Sequence, residues 1–118
     1  MLPIEMTDSG VLIIRVRADM DIADRSAAAG AIDALLGAHR SAPVVLELTH
    51  TPVSQAALST VVRAHHMCRH AGVPLAVVTA DAEECRALAS TATPATPAFY
   101  DSRASALSEL RVPAATAA

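Results

Sequence analysis

The sequence predicts an α/β domain with a mixed, mostly parallel sheet of four to five strands covered by about four helices. Three observations carry this. Short runs rich in Val, Ile and Leu alternate along the chain with longer segments of helical apolar spacing. Two of those runs, Val44-Val45-Leu46-Glu47-Leu48 and Pro74-Leu75-Ala76-Val77-Val78, are nearly continuous, as in strands covered on both faces. Finally, 118 residues make one domain with no room for a second core.

The elements follow in order. Leu2, Ile4 and Met6 alternate weakly up to Thr7-Asp8-Ser9-Gly10, where Gly supplies positive φ for a turn. Val11-Leu12-Ile13-Ile14-Arg15-Val16-Arg17 returns as a second strand, so the pair reads as a β-hairpin. Asp24 is the expected N-cap of the first helix, because Ala27, Ala28, Ala31, Ile32, Leu35 and Leu36 then recur at helical spacing. Gly37 or His39-Arg40 closes it, and Ser41-Ala42-Pro43 breaks the chain. After the strand at Val44, Thr51 or Ser54 caps a second helix over residues 55–71, whose stripe is Leu58, Val61, Val62, His65 and Cys68. Gly72 is its C′ residue. The strand at Leu75 leads to Asp81, which caps a short helix ending near Ala89. Residues 90–97 are a Ser/Thr/Pro-rich loop, and Phe99-Tyr100 is a last short strand. Asp101 or Ser102 caps a final helix through Leu110, and residues 112–118 are expected to fray as a disordered tail beyond a domain of residues 1–111. Alternating strands and helices imply right-handed crossovers.

Composition excludes several function classes. Aromatics are 2%, only Phe99 and Tyr100, which leaves no platform for stacking bases or sugars. A net charge of −3 and a pI near 5.9 argue against a nucleic-acid partner. Every basic residue is Arg, so Schiff-base chemistry, the P-loop lysine and the receiver-domain lysine are all missing. Cys68 and Cys85 are neither a disulfide framework nor spaced for zinc, and read as reduced, half-buried thiols. The first ten residues lack a basic n-region and an apolar h-region, so no signal peptide is expected. The apolar run at residues 11–14 is far short of the roughly 20 residues of a membrane span. A soluble, cytoplasmic protein without membrane insertion is the expectation. The Arg-only, Ala-rich composition fits the codon bias of a GC-rich bacterial genome.

Few constellations carry chemistry. Asp19-Met20-Asp21 follows an apolar strand, where an Asp-x-Asp can supply a nucleophile and a general acid around Mg²⁺. That chemistry also needs a downstream Lys, which is absent, and a distant acidic pair, which Asp81-Ala82-Glu83-Glu84 only mimics. His66 and His70 share a helix face at i, i+4 and can pinch a metal, but no Glu base stands beside His66. The simpler reading places His65 toward the core and His66 and His70 in solvent. No Gly-x-Ser-x-Gly elbow exists around Ser54 or elsewhere, and the four glycines are too scattered for a phosphate-cradling loop. The remaining feature is the unit from Val44 to Leu58, a buried strand, a polar turn and a helix start whose free amides favour an anion. A hydroxyl there can cap the helix and also serve as a switch, since a phosphate adds about −1.5 to −2 charge.

Over about residues 4–110 the chain resembles the STAS domain family of anti-sigma-factor antagonists and their relatives. Ala18-Asp19-Met20-Asp21 after the second strand is similar to the family's Gly-Glu-Leu-Asp. Glu47-Leu48-Thr49 matches its central Asp-Leu-Ser strand end, and Ala57-Leu58 its Gly-Leu helix start. Ala71-Gly72-Val73-Pro74-Leu75-Ala76-Val77-Val78 matches its helix end and next strand, and Phe99-Tyr100-Asp101-Ser102 with Ala106-Leu107 its closing strand and helix. The resemblance implies a non-enzymatic binding protein with no cofactor. Its partner would be an anti-sigma factor, a serine-kinase-type protein with an ATPase fold, held in a partner switch that regulates transcription. It implies a contact surface at Asp21, Ser54, Gln55 and Ser59. The family's phosphoacceptor position falls on Gln55, which has no hydroxyl; Ser54 is then the candidate phosphoacceptor, with Ser59 and Thr60 as poorer choices inside the helix. A partner bound constitutively, or controlled in another way, follows from Gln55. Other readings are a STAS subunit of a lipid-transport ABC system and, from another class, a small metal-dependent hydrolase using Asp19 and Asp21 or His66 and His70. Homodimerisation stays open.

Overall fold

The computed structural model describes residues 3–39, 42–50, 52–79, 81–90 and 97–117, with the side chains of Ala89 and of residues 111–117 left aside. Nine elements follow one another: β1 (Ile4–Met6), β2 (Leu12–Arg17), α1 (Ile22–Ala38), β3 (Val44–Thr49), α2 (Gln55–Ala71), β4 (Leu75–Thr79), α3 (Ala82–Ser90), β5 (Ala98–Tyr100) and α4 (Arg103–Ala117). The expected α/β class is found. The five strands lie in the order β1-β2-β3-β4-β5, antiparallel between β1 and β2 and parallel thereafter.

The hairpin forms where the turn residues demand it. Gly10 takes φ 86°, and the Thr7 hydroxyl accepts from the Val11 amide at 3.0 Å. The strands divide their side chains between two cores, as a period of two requires. Leu12, Ile14, Val16, Leu46, Leu48 and Val77 face α1 and α2 and pack with Ile32, Val61, Ala64 and Cys68. Val11, Ile13, Val45, Ala76 and Val78 face Ala106 of α4. The continuous apolar runs thus read correctly as strands covered on both sides. The two edge strands, β1 and β5, are only three residues long, which limits the unpaired backbone they expose.

One charged cluster crosses the α4 face of the sheet. Arg15 and Glu47 are register partners, and Arg15 Nε donates to Glu47 Oε1 at 3.1 Å. Arg103, in the first turn of α4, holds Glu47 with two bonds of 2.9 Å and reaches Glu5 at 3.3 Å. Two guanidiniums and two carboxylates therefore join β1, β2, β3 and α4. The Arg103 and Arg15 hydrogen bonds hold the Glu47 carboxyl below the usual range, although its partial burial works the other way.

Helix boundaries differ from expectation in two places. The N-cap of α1 is Asp21, not Asp24: Asp21 Oδ1 accepts from the Asp24 amide at 3.0 Å. Asp24 stands instead in the first turn, where its negative charge suits the helix dipole. The helical backbone of α4 continues to Ala117, past Leu110 and through Pro113. The other caps are where the sequence places them. Ser54 caps α2, Gly72 ends it at φ 71°, Asp81 accepts from the Glu84 amide, and Ser102 accepts from the Ser105 amide. Of the Ser/Thr/Pro-rich loop, residues 91–96 lie outside the described residues.

Candidate functional site

The carboxyl ends of β2 and β3 run into two short connections that meet. The Ala18 amide donates to Thr49 O at 2.6 Å, and the Ser54 amide donates to Ala18 O at 2.7 Å. The Ser54 hydroxyl donates to Met20 O at 2.6 Å and accepts from the Ala57 amide at 3.1 Å. From the third side, Glu84 of α3 accepts from the Val53 amide at 2.6 Å. Otherwise orphaned amides at the start of α2 are thus satisfied by side chains of Ser54 and Glu84. Met20 itself is buried, with its sulfur 3.6 Å from the Thr60 hydroxyl.

These bonds tie the chain just before Asp21 to the start of α2. Asp21 follows Met20 and Gln55 follows Ser54, so the Ser54–Met20 bond ties the two exposed residues to one surface. Ser59, one turn further along α2, is exposed as well. Ile22, next to Asp21, is 73% exposed, a large apolar side chain that helical periodicity could not flag because it stands outside the core stripe. Glu84 is the other contributor the sequence concealed; its role depends on how α3 docks.

Ser54 differs from the rest. Its hydroxyl is part-buried and uses both its donor and an acceptor site, so a phosphoryl group there, which replaces the hydroxyl proton, removes the bond donated to Met20 O. Gln55 is exposed and carries no hydroxyl.

Of the residues weighed for catalysis, Asp19 and Asp21 are otherwise engaged. Both oxygens of Asp19 are held by Arg17, at 3.0 and 2.9 Å, and this contact keeps the Asp19 carboxyl below its ordinary range. Asp21 caps α1. His66 and His70 are exposed on α2, and no group of three His, Cys, Asp or Glu side chains able to hold a metal occurs among the described residues. His65 is partly buried, with its ring 6.2 Å from that of His66. Cys68 is fully buried and Cys85 partly so.

The family model of the STAS domain matches residues 5–106. The chain belongs to the STAS domain family. No curated protein matches it. Among solved structures it is similar to the NMR structure of the protein TM1081, with a TM-score of 0.72 at 19% identity, over 95% of this chain and 90% of that one. That likeness concerns the STAS fold. The family is generally non-enzymatic, and no helix among the described residues is long and apolar enough to cross a membrane.

Proposed function

We propose that this STAS domain is a non-enzymatic docking module of the anti-sigma-factor-antagonist type. Its partner is an anti-sigma factor with a kinase-type ATPase fold, and its binding releases a sigma factor. The observation that supports this reading is the Ser54–Met20 hydrogen bond, which ties the turn leading to Asp21 to the start of α2. A preorganised surface loses little entropy on docking. Exposed Ile22 supplies an apolar contact beside the Asp21 charge, and Gln55 and Ser59 supply polar ones.

Gln55 sets the mode of control. A residue that cannot be phosphorylated leaves the surface permanently uncharged at that point, so binding is constitutive or governed through the partner. The engaged hydroxyl of Ser54 supports the same reading, because its modification would cost the bond to Met20 O.

The test is a titration of the purified kinase-type anti-sigma factors encoded in the source genome. Asp21→Asn keeps an N-cap and removes the charge, and Gln55→Lys alters an exposed side chain. Each variant is expected to weaken binding at least tenfold while leaving the denaturation midpoint within a few degrees of wild type. Unchanged affinity in both variants would remove the surface from the interface.

A further inference from the structure

The exposed side of α2 carries more than its N-terminus. Gln55, Leu58, Ser59, Val62, Met67 and His70 line one shallow groove along the helix, a stretch of about 22 Å at 1.5 Å per residue. A second groove between α1 and α2 is lined by Arg25, Ser26, Ala29 and Gly30 from α1 and by Ser59 and Arg63 from α2. Ser59 and Arg63 belong to both grooves and form the ridge between them.

Charge is unevenly distributed over this surface. The chain has a net charge of −3, yet α2 holds two arginines and no carboxylate in 17 residues. Arg15, Arg17 and Arg103 are all paired with carboxylates. Arg25 and Arg63 are exposed and make no ion pair among the described residues. The start of α1 has the opposite character, with Asp21 at its N-cap and Asp24 in its first turn, whereas Asp19 is held by Arg17. The surface is therefore acidic at one end and basic along the α1–α2 groove. Such a pattern selects a partner of complementary pattern and fixes its orientation.

We propose that the α1–α2 groove seats an acidic side chain of the docked protein partner, which Arg25 and Arg63 hold, while Leu58, Val62 and Met67 take an apolar contact beside it. This rests on the docking reading above and adds the partner's chemistry: an acidic residue next to an apolar one, about one helical turn along α1 from its contact with Asp21. Two guanidiniums around one carboxylate give charge-assisted bonds, and the other α1 residues lining the groove, Ser26, Ala29 and Gly30, are small.

The experiment titrates the same purified kinase-type anti-sigma factors against the full chain at 50 and 300 mM salt. Wild type is compared with Arg25→Glu, Arg63→Glu and Arg63→Lys, with folding checked by circular dichroism. The expected result is at least tenfold weaker binding for each Glu variant, near-wild-type binding for Arg63→Lys, and a salt dependence that the Glu variants lose. A factor that binds wild type and both Glu variants equally overturns this inference and leaves the docking reading intact. If no factor binds wild type, the docking reading fails, and a second probe decides the groove. That probe is an amphipathic Leu/Glu peptide and its Leu/Lys counterpart, followed by amide shifts. Shifts around Arg25, Ser59 and Arg63 with the Glu peptide alone support the acidic seat. Equal shifts with both peptides, or none, overturn it.

Discussion

Replacing Ser54 with alanine removes the N-cap of α2 and the bond to Met20 in one step. The expected cost is about 1–2 kcal/mol in urea denaturation. Gln55→Ala, at an exposed neighbour that holds nothing, should stay within about 0.5 kcal/mol of wild type. Gly72 sits at φ 71°, so Gly72→Ala should cost about 1–2 kcal/mol through backbone strain alone. The two cysteines separate by environment. Burial pushes the Cys68 thiol up to about 11, whereas Cys85, raised by milder burial and by the nearby Asp101 charge, remains partly exposed. A thiol reagent at pH 8 should therefore label Cys85 in the native protein and reach Cys68 only on unfolding. Labelling of both at equal rates would contradict the packing of α2.

The charged cluster on the α4 face belongs to the scale of elements, because it joins three strands and a helix. Glu47 has a depressed pKa in the folded state, owing first to Arg103 and then to Arg15. A depressed carboxylate contributes stability above its unfolded pKa, near 4.3, and that contribution disappears as pH falls through the folded value. Glu47→Gln should cost about 1 kcal/mol at pH 7 and progressively less below pH 4, read as converging denaturation midpoints. This cluster was only half legible in the sequence. Glu47 stands out in an apolar strand, but its partner Arg103 and the Glu5 that Arg103 also reaches come from opposite ends of the chain. The strands and caps were far easier to read, because continuous Val and Leu runs, Ser54, Gly72 and Asp81 act locally. The start of α1 misled because Asp21 and Asp24 both suit a helix N-terminus. Exposed Ile22 adds nothing to the apolar stripe that would have decided between them. The end of α4 misled because residues 112–118 carry no apolar stripe to bury, yet the helical backbone runs on to Ala117.

At the scale of the molecule, the fold brings two connections and three helices to one surface. The order of the motifs allowed the STAS family to be read from the sequence. The tie between Ser54 and Met20, the Glu84 contact and the Arg25–Arg63 groove depend on residues more than 30 positions apart, and no local pattern encodes them. The central claim is that an uncharged Gln55 on this preorganised surface keeps the domain competent to bind. It is tested most directly by calorimetric titration of a kinase-type anti-sigma factor with wild type and Gln55→Asp. The account predicts tight binding to wild type without any phosphatase treatment, and at least tenfold weaker binding to Gln55→Asp with the fold intact. Equal binding to both proteins would contradict it.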